Sequence, residues 1–292
     1  MTLTPTSRPR ALLVTTTMAA LVGSIALPQG ASALPFSKLK HGRKLSKAQR
    51  KIAAEAMATI KAYQGCDKVL SGCLKQRNKK TEIAWRLADY VAFLTSKGVN
   101  KAAIIKILER RRRSALGKQH TIDTVGWPRI GSVKAPITIV EFADFRCTHC
   151  TKVGPLLSKL AKRYKSKVTL VFKPYPLKPY GAPLRAAQAA LAAQRQGKFW
   201  ELSELLFSHR DKHDKAGLRE LAKRARLDLI GFDAAMTDRA LLKQIEKSKI
   251  EGLRLGIRGT PTIYINGRQF LLRKDEMHLT QRIEDELFIL GK

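Results

Sequence analysis

The amino-acid sequence predicts an α/β fold with a helical insertion, preceded by a small all-helical appendage, and three observations carry that expectation. Two apolar runs of strand length, Ile137-Thr-Ile-Val-Glu-Phe142 and Val168-Thr-Leu-Val-Phe172, alternate with helical stretches. Asn266-Gly267 separates two further strand-like runs, Thr262 to Ile265 and Gln269 to Leu272, as the turn of a two-residue hairpin does. Before about residue 118, by contrast, apolar residues recur only at helical spacing.

The chain has 292 residues, enough for one sizeable core and a smaller one. Residues 1–33 differ from the rest. Arg8 and Arg10 precede an uncharged run from Ala11 to Leu27, and Ala31-Ser32-Ala33 offers small residues where a signal peptidase cuts. The run is short for a membrane anchor and is interrupted by Thr15 to Thr17, Gly23 and Ser24, so a cleavable secretion signal is expected. The mature protein is then periplasmic or extracellular.

Lys and Arg total 56 against 23 Asp and Glu, giving a formal charge of +33. Such a bias speaks of solubility and of attraction to polyanions, not of fold. No nucleic-acid motif interrupts the sequence, so nucleic acid is not the expected partner. Outside the cytoplasm the polyanions at hand are anionic membrane headgroups and envelope polymers.

Residues 34–118 read as the appendage. A lead-in rich in Lys and Arg is followed by Ile52, Ala56, Ile60 and Tyr63 at helical spacing. A second stripe, Ile83, Leu87, Val91 and Leu94, stops at Gly98, and Asn100 is placed to cap a third helix carrying Ile104, Ile105 and Leu108 before Arg110 to Arg113. These helices can bury their stripes only against one another or against the following domain. A fragment starting near Thr121 is expected to keep its chemistry without them. Cys66 and Cys73, close in sequence within the appendage, are expected to form a structural disulfide, with a second exchanging pair and free thiols as the alternatives.

Residues 119–292 form the second unit. From Ile122 to Pro136, Gly and Pro mark a linker or lead-in strand. After the first strand, Cys147 to about Lys165 reads as a helix containing Pro155, and after the second strand a long helical insertion carries Ala186 to Ala193, Phe199 to Phe207 and Leu218 to Ala225. A helix from about Asp275 closes the chain.

The chemistry-bearing motif is Cys147-Thr-His-Cys150. Exported cysteines can hold or trade disulfides, and two this close enclose almost no loop, so an inert bridge would gain little. A thiol at a helix start faces unpaired N–H groups and the positive end of the dipole, which favours its thiolate. Cys147 is therefore the expected nucleophile and Cys150 the resolving thiol. His149, as imidazolium, would add positive charge beside the thiolate. A zinc site is not expected, because no Cys/His cluster supports one.

Val140-Glu-Phe-Ala-Asp-Phe-Arg-Cys-Thr-His-Cys150, Gln196-Gly-Lys-Phe-Trp-Glu201 and Gly259-Thr-Pro-Thr-Ile-Tyr-Ile-Asn-Gly267 resemble the DsbA-like thiol:disulfide oxidoreductases of the thioredoxin superfamily, over about residues 123–292. The resemblance implies a thioredoxin-like fold with a helical insertion. It also implies a buried proton-relaying acid at Glu141, and a cis bond before Pro261 that presents the backbone of Thr260 to an extended substrate. Thr148 stands where the family often has Pro. Thr260 stands where DsbA has Val and resembles the isomerase and reductase branches, so it is expected to oppose net oxidation. Lys173, Tyr175 and Tyr180 are expected along the substrate groove.

The function these readings favour is exchange of disulfides with cysteines of exported proteins, most often as a net oxidase, with an unidentified redox partner and no cofactor beyond the Cys147–Cys150 pair. An isomerase or reductase is the alternative within that chemistry. A redox-inert basic scaffold binding envelope polyanions is the alternative outside it.

Overall fold

The computed structural model describes Met1 and residues 34–292, so the expected signal segment lies, but for Met1, outside the described residues. The appendage comprises α1 (Lys47–Met57), the one-turn α2 (Leu70–Cys73), α3 (Glu82–Ser96) and α4 (Lys101–Leu116). Ser46 and Gln49 form a reciprocal capping box at the start of α1, and Asn100 caps α4 by accepting from the Ala103 amide. Gly98 ends α3 with a φ of +77°, a conformation glycine adopts without strain. Ala53, Met57, Leu70, Ile83, Leu87, Val91, Ile104 and Leu108 share one core, and the Cys66–Cys73 disulfide ties down the segment before α2.

The second unit contains β1 (Arg129–Ile130), β2 (Ile137–Ala143), α5 (Cys150–Tyr164) and β3 (Val168–Pro174). Its insertion is five helices: α6 (Gly181–Arg195), α7 (Phe199–Ser208), α8 (Lys215–Arg224), α9 (Leu229–Thr237) and α10 (Arg239–Arg254). The chain then returns through β4 (Thr262–Ile265), β5 (Arg268–Gln269) and α11 (Glu276–Ile289).

The sheet order is β1-β3-β2-β4-β5, with β2 and β3 parallel and the other pairings antiparallel. Strand alternation sends Ile137, Ile139 and Ile263 into a core with α5 and α11, and Val140, Phe142 and Tyr264 to the opposite face with Trp127 and Tyr175. The Asn266-Gly267 turn forms as expected, both residues having positive φ. The second hairpin strand is shorter than its apolar run, ending at Gln269.

The appendage docks on α11. Asp285, buried, accepts from Arg111 at 2.6 Å and from the Tyr63 hydroxyl, and Arg86 approaches it at 3.5 Å. Tyr90 and His278 share a hydrogen bond of 2.6 Å, and Met277 and Phe288 pack on the appendage core. The appendage thus meets the second unit through a buried, polar junction. Of the run Arg110 to Arg113, Arg111 is not surface charge at all, being only 2% exposed.

Candidate active site

Both cysteines of the motif are thiols, Cys147 half-buried and Cys150 fully buried. The helix begins at Cys150, three residues later than its pattern suggests, so Cys147 precedes it. A tight turn holds Cys147, whose amide donates to the Asp144 carbonyl at 3.0 Å while its own carbonyl accepts from the Cys150 amide at 3.1 Å. Phe145 anchors the turn from below, stacked on Phe172 and tilted against Phe207.

Burial raises the Cys147 thiol, but the Thr260 side chain, the Cys150 and His149 amides and the Cys150 thiol outweigh it, and Cys147 is held below the ordinary cysteine value. Its Sγ also donates to the Thr260 carbonyl at 3.2 Å. The Thr260 hydroxyl is buried without a hydrogen-bond partner, and its dipole lowers both sulfurs. Cys150 is pushed far up, by burial first and then by the negative field of Glu141. The pair is thus strongly asymmetric. The accessible sulfur is the more readily ionised of the two.

Glu141 lies fully buried on β2, and neither carboxylate oxygen has a hydrogen-bond partner. Burial, with a smaller contribution from Cys147, pushes its carboxyl up to about 8. Lys173 is not its partner. It sits opposite Phe142 in the β2–β3 register, on the other face of the sheet, where its ammonium contacts the Asp123 carbonyl at 2.8 Å, the Glu251 carboxylate and the Trp127 ring.

The Thr260–Pro261 bond is cis, as the resemblance implies. A cleft of about 430 Å³ borders Cys147, lined by Leu177, Lys178, Tyr180 and Pro183 from the segment between β3 and α6. Tyr180 thus lines the cleft beside Cys147, whereas Lys173 and Tyr175 are buried behind the sheet, a correction caused by the face their strand register selects. A larger cleft of about 690 Å³ lies between the appendage and β4–β5, with no cysteine in its lining. Among the described residues no group of three or more His, Cys, Asp or Glu could hold a metal ion, and no helix is long and apolar enough to cross a membrane.

Three contributors escaped the sequence reading. Asp144, buried, accepts from the amides of Arg146 and Leu177 at 2.7 and 2.8 Å and so joins the cysteine turn to the groove segment. Arg210, between α7 and α8, donates to the Thr148 hydroxyl at 2.9 Å. Lys274 is lowered by burial, with attraction from Cys150 resisting. The signal for Asp144 was an acid three residues before the motif; for the other two there was none, since each is one of many cations far away in sequence. The His149 and Thr148 side chains are exposed, and His149 meets Cys147 through its amide.

A family model described as thioredoxin matches residues 123–285. The Na(+)/H(+) antiporter NhaA 3 of Salinispora tropica is 36% identical over 174 residues, which are 55% of this chain and 26% of that protein. The chain thus spans about a quarter of the length of the curated relative it matches. Among solved structures, the catalytic domain of Proteus mirabilis ScsC superposes with a TM-score of 0.50 at 24% identity, covering 62% of this chain and 97% of that one. The thiol-disulfide exchange protein alpha-DsbA2 of Wolbachia pipientis superposes with a TM-score of 0.51 at 21% identity, covering 62% and 94%. With more than half of its residues matched by the family model and the fold of a DsbA-like exchange protein around its cysteine pair, the chain belongs to the thioredoxin family.

Proposed function

We propose that this protein is an exported thiol:disulfide oxidoreductase that works through Cys147 and Cys150, in the net direction of substrate oxidation. The observation that carries the reading is the asymmetry of the pair: an accessible thiol lowered from its ordinary value beside a buried one that is raised. A reactive pair of this kind trades disulfides, whereas inert structural cysteines are buried together.

In the oxidised protein a substrate thiolate attacks the Cys147 sulfur, the Cys147–Cys150 bond breaks, and Cys150 leaves as a thiolate. Glu141, still protonated near neutral pH by its burial, can supply the proton that Cys150 then needs. A second substrate thiolate attacks the substrate sulfur of the mixed disulfide, forming the substrate's own disulfide and releasing Cys147 as its favoured thiolate. Two electrons have passed from substrate to protein, and a redox partner must remove them. Thr260 and Pro261 present backbone to an extended substrate beside Cys147, and the His149 amide favours the Cys147 anion.

Net oxidation follows from stabilising the reduced form, since about 1.4 kcal/mol in its favour raises the potential by about 30 mV. Equilibration with glutathione buffers tests the reading. A potential near roughly −120 mV supports the oxidase, one near roughly −270 mV makes the protein a reductase, and no exchange at all leaves the scaffold reading. Sequencing of the secreted product tests export, with Leu34 expected as its first residue.

A further inference from the structure

The appendage contains a cleft of about 360 Å³ between the turn spanning residues 38–43 and the first half of α3. Lys38, Lys40, Arg43, Arg77 and Arg86 surround it, and the buried Trp85 forms part of its wall. The nearby carboxylates are already engaged. Glu82 accepts from Arg77 through two bonds of 2.9 Å and pairs with Arg86, while Asp89 accepts from the amide and ring of His41 at 2.8 and 2.9 Å. Lys38, Lys40 and Arg43 have no carboxylate partner among the described residues, and residues 2–33 contain no Asp or Glu that could supply one.

The turn that carries these three cations is fixed. Its amides bond in sequence, Gly42 to Leu39 and Leu45 to Gly42, and a Cβ at Gly42 would lie 2.5 Å from the Phe36 carbonyl oxygen. The His41–Asp89 pair fastens it to α3. Arg43 is itself oriented, its Nε donating to the Ser37 carbonyl at 2.9 Å, which leaves its two terminal nitrogens without a hydrogen bond among the described residues. Donors held in place before a ligand arrives lose little freedom on binding it. Three uncompensated charges around one concave space exceed what a lone carboxylate would neutralise, and they suit a doubly charged oxyanion.

We propose that this cleft binds a phosphate group, with the Arg43 guanidinium engaging its oxygens and Lys38 and Lys40 neutralising its charge. The group can belong to a soluble phosphorylated molecule or to a lipid headgroup, and the site is independent of the cysteine chemistry.

The test uses the full secreted chain and two probes: inorganic pyrophosphate by titration calorimetry at fixed ionic strength, and phosphatidic acid vesicles by co-sedimentation, with phosphatidylcholine vesicles as the blank. Arg43→Glu and Lys40→Glu should each weaken binding at least tenfold, because both side chains are exposed, while melting temperature and disulfide exchange stay unchanged. Lys134→Glu, an equal loss of charge at a distant exposed site, should leave binding within twofold. Pyrophosphate binding without vesicle adsorption assigns a soluble source, and vesicle adsorption lost in Arg43→Glu assigns the headgroup. Binding of neither probe, or equal weakening by Lys134→Glu and Arg43→Glu, overturns the site.

Discussion

Arg210 donates to the Thr148 hydroxyl at 2.9 Å and to the Arg146 carbonyl at 3.3 Å, so the helical insertion grips the cysteine turn from outside. Its positive charge is thereby fixed on the turn that carries Cys147. Arg210→Ala should therefore move the Cys147 ionisation upward and lower the reduction potential. The site is open to solvent, so the change should stay below about 1 kcal/mol, or about 20 mV. Thiolate absorbance titration and glutathione equilibration measure the two effects, and Arg210→Lys should restore only part of each.

Glu141 makes stability depend on pH. The folded protein holds the Glu141 proton up to about pH 8, whereas the unfolded chain releases it near 4.5. The group's contribution is therefore complete below 4.5 and is lost as pH rises to about 8. Glu141→Gln should remove this loss and stabilise the protein at neutral pH by roughly 2–4 kcal/mol. Urea unfolding at acid and neutral pH reads the difference, and a pH-independent wild type would contradict the buried, unpartnered carboxyl.

Thr260→Val keeps shape and removes the hydroxyl. If that hydroxyl favours the Cys147 anion by about 1.5 kcal/mol, as hydrogen bonds to charged groups do, alkylation of Cys147 at neutral pH should slow about tenfold. The potential should fall by about 30 mV. An unchanged alkylation rate would leave Thr260 with substrate pairing alone.

Arg111 and Asp285 are each nearly inaccessible, at 2% and 1% side-chain exposure. Arg111→Met leaves the carboxylate buried beside Tyr63 and should cost about 3–5 kcal/mol, and adding Asp285→Leu should recover most of it. Thermal melts of the two variants test this. A fragment starting at Thr121 should melt lower still, because Asp285 and His278 lose their partners and Met277 and Phe288 are uncovered.

The strands β2, β3 and β4, the α3 and α4 helices, the hairpin turn and the cysteine pair were all legible in the sequence, because each rests on neighbours in the chain: period, caps, turn residues and spacing. The location of the α5 start was not, since the same residues that read as a first helical turn close on Asp144 instead. Thr260 carries two opposed signals. Resemblance sets it against oxidation, while its hydroxyl, beside both sulfurs, favours the thiolate of the reduced form. Arg210, Lys274 and the Arg111–Asp285 pair join residues far apart in sequence, and in a chain with 56 Lys and Arg nothing marks which few are used.

Gly267 was read for its turn, but it also admits another part of the chain. The segment linking the two units passes over it, the His120 amide donating to the Gly267 carbonyl at 2.8 Å, and a Cβ at Gly267 would collide with the His120 carbonyl oxygen. The connection is consequently a seam and not a hinge. Joined there and across α11, the two units should tumble as one particle, with a single rotational correlation time and no separate relaxation of the smaller unit.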